Sequence, residues 1–207
     1  METDDEQVEK LKAWWKENGR AVIAGIVIGV GGLFGYRGWV DWQETTALKA
    51  SSHFSQMVRA IESKDGDSLT REANILIADY ASSDYAVIAR FALTKNYVET
   101  GVYDQAIIQL EQIIGSVGDA PLGMLARKRL ASVHIQRAAF DAALKVLDVE
   151  FSAEFAAAVE ELKGDAFAKL GKIDEAANAY RKAQRSLPGP ADTQFLQQKL
   201  DDLGVNS

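Results

Sequence analysis

The 207 residues suit one short segment and one domain of about 160 residues, enough to bury a core. Net charge is −7, with 23 Lys and Arg against 30 Asp and Glu and no basic cluster, which argues against nucleic acid as a partner. There is no cysteine, which excludes disulfides, zinc–thiolate sites, iron–sulfur clusters and lipidated cysteines.

The first segment, residues 1–20, is an acidic and amphipathic tail. Its opening acids, Glu2 to Glu6, read as solvated, and Lys10, Lys12, Lys16 and Arg20 follow them. Ala21–Tyr36 then carries no charge, and Gly38, Trp39 and Val40 extend its apolar character past Arg37. A helix over 21–40 is about 30 Å long, the thickness of a bilayer's hydrocarbon core, so the spacing predicts one transmembrane helix. A cleaved signal peptide is the competing reading of an N-terminal apolar run. The long acidic tail and the bulky residues after the run, with no small-residue cleavage pattern, argue against it. Trp14 and Trp15 precede the run, while Tyr36, Trp39 and Trp42 close it, as rings at two membrane interfaces would. Four basic residues lie before the run and two, Arg37 and Lys49, between its end and Ala50, which places the N-terminus in the cytoplasm and the large domain outside. Gly25 and Gly29, and again Gly31 and Gly35, have the four-residue spacing that lets membrane helices pack closely; glycine is also simply common in such helices.

Residues 41–207 read as an all-α periplasmic domain. Ala47, Ala50, Phe54, Met57, Val58 and Ile61 fall near helical spacing. Lys64–Ser68 is a turn, Leu69, Ala73, Leu76, Ile77 and Tyr80 line one helical face, and Ser82–Asp84 breaks that helix and caps the next. No alternating strand pattern occurs. From residue 87 a hexad recurs: Gly101-Val-Tyr103-Asp104-Gln-Ala106, Ala138-Ala-Phe140-Asp141-Ala-Ala143 and Gly171-Lys-Ile173-Asp174-Glu-Ala176. The alanines are 37 and 33 residues apart, either side of the 34-residue period of tetratricopeptide repeats. The small residue suits a tight turn between helices A and B, the aspartate suits the start of helix B, and the alanine lets helices approach. Tyr97, His134 and Phe167 each precede the small residue by four, and Gly164 stands where helices cross. The fold class is therefore a tetratricopeptide-repeat solenoid preceded by one transmembrane helix, with clear repeats at about 87–120, 124–153 and 157–190. Residues 43–86 are expected to add helix pairs with degenerate signatures, and Ala191–Leu203 to cap the stack.

No phosphate loop, dinucleotide fingerprint or nucleophile elbow occurs, and the two histidines, His53 and His134, make no recognisable metal site. The chain reads as a non-enzyme without cofactor, catalytic residue or bound metal. In such solenoids the A helices form a concave surface that takes peptides or partner proteins. The repeat register puts Lys95, Lys128 and Asp165 on it; ordinary solvent exposure is the alternative for all three.

The run Glu9–Arg20, the glycine-rich helix ending Gly35-Tyr-Arg-Gly-Trp39 and the three hexads together resemble the ancillary SecYEG translocon subunit (YfgM) family. The resemblance covers nearly the whole chain, and its tail and anchor are more specific than its repeats. It implies a single-pass inner-membrane protein with a periplasmic repeat domain. It also implies association with the SecYEG translocon and with PpiD, a membrane-anchored periplasmic chaperone of the prolyl isomerase class. The implied role is to pass unfolded translocated proteins toward periplasmic chaperones. Without the resemblance, the residues fit equally a membrane-anchored scaffold for another cell-envelope complex, in cell-wall or outer-membrane biogenesis. The missing cysteine counts against a lipid-anchored form of that reading. An enzyme with an unrecognised site is a third possibility.

Overall fold

The computed structural model describes residues 4–204, and every regular element among them is helical. The α-helices are α1 (Asp4–Glu62), α2 (Gly66–Asp79), α3 (Asp84–Glu99), α4 (Tyr103–Val117), α5 (Pro121–Gln136), α6 (Phe140–Val146), α7 (Ala156–Lys169), α8 (Ile173–Arg185) and α9 (Pro190–Asp202), with a 3₁₀ turn at Ala153–Phe155. The chain forms two compact units, Met1–Ser52 and His53–Ser207, whose boundary falls inside α1.

In the first unit, the tail from Asp4 onward, the apolar run and the residues after it belong to one helix rather than to separate elements. Six glycines between residues 25 and 38 would weaken a helix in water, at roughly 0.5–1 kcal/mol each relative to alanine. In hydrocarbon the backbone has no other hydrogen-bond partner, so the helix is enforced. Its large apolar side chains point outward: Ile28 is 74% and Phe34 69% exposed. Before the run, Val8, Leu11 and Trp15 recur at helical spacing and are also exposed. The Trp15 ring lies over Gly19, close enough that an added Cβ would sit 3.2 Å from it.

The second unit is a stack of helix pairs, and its repeat is visible in the backbone. Gly101, Ala138 and Gly171, the small residues of the three hexads, all have positive φ, at 75°, 57° and 72°. At each turn the next residue's N–H reaches back to helix A: Val102 to Tyr97 O, Ala139 to His134 O and Lys172 to Phe167 O, at 2.7–3.0 Å. This is the left-handed cap with a six-to-one hydrogen bond that ends many helices. A fourth turn has the same design. Lys64 has φ 57°, and the Asp65 N–H donates to Ala60 O at 2.9 Å. The end of α1 and α2 therefore form one further pair, and residues 43–86 supply one pair rather than several.

Packing follows the hexads. Ala106, Ala143 and Ala176 are fully buried, as are Leu110 and Leu147 four residues on, with Tyr180 nearly so. Leu110 and Ile113 of α4 pack with Ala126, Leu130 and Val133 of α5, and Ala143 and Leu147 with Ala131 and Val159. Each such large side chain contributes about 1.5–3 kcal/mol by burial. Gly164 has its expected role, since an added Cβ would stand 2.4 Å from the Tyr180 ring. Leu196 and Leu200 of α9 close the stack against Ala176, Ala177, Tyr180 and Ala183. Ser83 is the residue before α3, but its hydroxyl donates back to Tyr80 O at 2.7 Å instead of capping the new helix.

Candidate functional site

Two surfaces lack partners of their own, one in each unit. In the first unit it is the apolar stretch of α1, long and apolar enough to cross a membrane. An added Cβ at Gly25, Gly29, Gly31 or Gly35 would meet nothing within 4 Å, so none of these glycines is required by contacts inside the chain.

In the second unit it is a groove between the neighbouring A helices α3 and α5, lined by Thr94, Lys95, Val98, Arg129, Ser132 and Gln136. Helices of this stack meet side by side, so equivalent faces of α3 and α5 are brought together although the 21 residues of α4 and its turns separate them in sequence. Val98 and Val133 make its apolar floor, and Thr94, Ser132 and Gln136 supply neutral polar groups. The Arg129 guanidinium carbon lies 4.8 Å from the Phe91 ring centroid, a cation–π contact that fixes it over α3. Lys95 stands 3.8 Å from Glu99, and both side chains are about two-thirds exposed. An ion pair in that setting contributes little. A second groove, among the end of α1, α2 and α3, shares Lys95 and Glu99 with the first. Its Asp65 carboxylate is held below its ordinary pKa by the Ser68 hydroxyl first and then by the Ser68 N–H, which donates to it at 3.0 Å.

The three residues that the register puts on the concave surface have different surroundings. Lys95 lines both grooves. Lys128 is half-buried beside Arg129 on α5 and is not among the lining residues. Asp165 accepts hydrogen bonds from Tyr180 Oη at 2.8 Å and from Lys199 Nζ at 2.6 Å. Lys199 also donates to Glu161 at 2.8 Å, and it lies over the Phe195 and Tyr180 rings. Burial opposes the Lys199 charge, but the hydrogen bonds and charges of Asp165 and Glu161 outweigh it and push its pKa up. Burial, followed by the Asp165 hydrogen bond, pushes the Tyr180 hydroxyl up as well. Glu161 and Asp165 of α7 thus share one lysine of the capping helix.

Sequence reasoning missed Arg129 and Lys199. Both are single basic residues on helices, and their partners lie 38 positions away at Phe91 and Glu161, with no pattern linking them. It also missed Glu72, which is 8% exposed and accepts from His53 Nδ1 at 2.8 Å and Arg71 Nε at 3.3 Å. The His53 hydrogen bond holds the Glu72 pKa below its ordinary value against the opposing effect of burial. His134 fills the position of Tyr97 and Phe167, and burial lowers its pKa. Among the described residues no three His, Asp or Glu side chains converge as a metal site.

A family described as a tetratricopeptide repeat-like domain matches residues 12–205. The chain is 30% identical over 204 residues to the ancillary SecYEG translocon subunit of Escherichia coli (strain K12), covering 99% of this chain and 98% of that protein. It is 29% identical over 202 residues to the protein of the same name from Haemophilus influenzae, with 97% of each covered. Among solved structures, a fragment of MamA (41-end) from Desulfovibrio magneticus RS-1 superposes with a TM-score of 0.60 at 16% identity, over 75% of this chain and 89% of that one. That likeness concerns the fold alone.

Proposed function

Because this chain belongs to the ancillary SecYEG translocon subunit family and carries its tetratricopeptide repeat-like domain, we propose that it is a non-catalytic, membrane-tethered interaction module of the protein translocon. The anchor is α1 over residues 21–40, with residues 1–20 in the cytoplasm and the repeat domain in the periplasm, in keeping with the four-to-two excess of basic residues before the run. The module associates with SecYEG through the small-residue pairs of the anchor, Gly25 with Gly29 and Gly31 with Gly35. Its A-helix groove meets a periplasmic chaperone such as PpiD and unfolded translocated segments, with Lys95 and Lys128 on the contact side. Asp165 serves that surface indirectly, by holding α9 to α7.

The observation that carries this reading is the pairing, in one chain, of an apolar helix without internal partners and an open groove between A helices. Tethering raises the effective concentration of the groove near emerging chains, to the millimolar range for short linkers, so weak individual contacts suffice.

The test is affinity purification of the full chain from gently solubilised membranes of its own host. SecYEG and a membrane-anchored periplasmic chaperone should co-purify, and replacing Gly31 and Gly35 with leucine should remove the channel while the chain stays in the membrane fraction. Recovery of only cell-wall or outer-membrane assembly factors would support the scaffold reading instead.

A further inference from the structure

We propose that the groove between α3 and α5 selects extended peptide segments that carry acidic side chains. This inference rests on the reading of the A-helix groove as a polypeptide site and adds the chemistry by which it chooses.

The chain as a whole is acidic, at −7, yet the groove between α3 and α5 is lined by Lys95 and Arg129 against one acid, Glu99. Among the described residues, no carboxylate lies within ion-pairing distance of Arg129 or Lys128. Lys95 has only Glu99, at 3.8 Å and well exposed, a pair that a ligand carboxylate can replace at small cost. On α7 the carboxylates already have partners within the chain, because Lys199 takes both Glu161 and Asp165 and Lys163 takes Glu160. Arg129 is also pre-positioned. The Phe91 ring covers one face of its guanidinium and leaves the N–H edges free for a bidentate carboxylate, the geometry arginine suits best. Thr94, Ser132 and Gln136 offer hydrogen bonds to a peptide backbone, and Val98 and Val133 accommodate a small apolar side chain beside the acid.

The acid belongs to a side chain and not to a chain terminus. The groove does not close: it runs into the neighbouring groove through Lys95 and Glu99, which both line, so a strand can pass across α3.

The test uses the full chain in detergent micelles and fluorescence anisotropy with ten-residue peptides of glutamate, valine and serine. The N-terminus carries the dye and the C-terminus is an amide. A glutamine counterpart and a glutamine peptide with a free C-terminal carboxylate complete the set. The glutamate peptide should bind at least tenfold more tightly than its amidated glutamine counterpart, and the preference should shrink as salt is raised. Replacing Lys95 and Arg129 together with glutamine should erase the preference, so that the glutamate and glutamine peptides bind the variant alike. Both side chains are largely exposed, and an unchanged melting temperature checks that the variant folds. Equal binding of glutamate and glutamine peptides, or a preference that survives the double substitution, overturns the charge inference. So does a free-carboxylate glutamine peptide that binds as well as the glutamate one. If the glutamine peptide binds and Ser132→Trp blocks it, the groove reading survives such a result. If no peptide binds, both readings fail together.

Discussion

Ala138 shows how a repeat constrains one residue. It occupies the left-handed turn that Gly101 and Gly171 occupy in the other clear repeats, at φ 57°, and an L side chain there is strained. Ala138→Gly should therefore raise stability by about 0.5–1 kcal/mol, and Gly101→Ala should lower it by at least as much. Chemical denaturation of the full chain in detergent, followed by helical circular dichroism, would check both. Gly164 faces a different constraint. A methyl group there would overlap the Tyr180 ring, so Gly164→Ala should cost about 1–3 kcal/mol by overpacking. Gly115→Ala, in open space on α4, should be neutral or mildly stabilising through helix propensity. The turn positions Gly101, Ala138 and Gly171 were legible in the sequence because the small residue recurs at fixed offsets from an aspartate and an alanine. The fourth turn, at Lys64–Ser68, was legible as a turn but not as a member of the repeat. Lys64 supplies the left-handed residue, Gly66 replaces the aromatic and Leu69 replaces the alanine, so the backbone repeats where the side chains do not.

The helices themselves were legible from apolar spacing, while the side-chain links between them were not. The closing helix was expected at 191–203 and lies at Pro190–Asp202, but the clasp that fastens it, Lys199 to Glu161 and Asp165, joins residues 34 and 38 positions apart. Lys199→Ala would leave two half-exposed carboxylates facing each other. It should cost about 1–2 kcal/mol, reduced by their partial exposure to water, and should speed proteolysis in the 186–189 connection. Ala176 is fully buried in α8, and Ala176→Arg would put a charge where nothing pairs with it. The last repeat should unfold; a melting curve that barely moves would mean that the register is wrong. At the other end of the stack, Glu72 ties α2 to the last turns of α1 through His53. Its folded pKa lies below the ordinary 4.5, so its stabilisation is present above that value and is lost as pH falls through the folded value. The stability difference between the native chain and Glu72→Gln should therefore shrink between about pH 5 and pH 3. A pH-independent difference would rule out that carboxylate as the source.

At the scale of the whole molecule, composition excluded thiol chemistry, and the uncharged run set the topology. The groove was placed by repeat register alone, which orders residues along the A helices but carries no information on which cations are already paired. That is why Lys95, Lys128 and Asp165 looked alike in the sequence, whereas Asp165 is bound by Lys199 and Tyr180. What unites the molecule functionally is the tether. An anchor that packs beside the channel would hold the groove near chains as they emerge, and neither part would serve that purpose alone.

That claim is tested most directly by photo-crosslinking in living cells of the native host. A photo-reactive amino acid at Ile28 or Leu33 reports on the neighbours of the anchor, and one at Lys95 reports on the groove. The account predicts adducts with the protein-conducting channel from the anchor positions, and with a periplasmic chaperone or a translocating chain from position 95. Adducts solely with cell-wall or outer-membrane assembly factors would contradict the translocon assignment while leaving the fold intact.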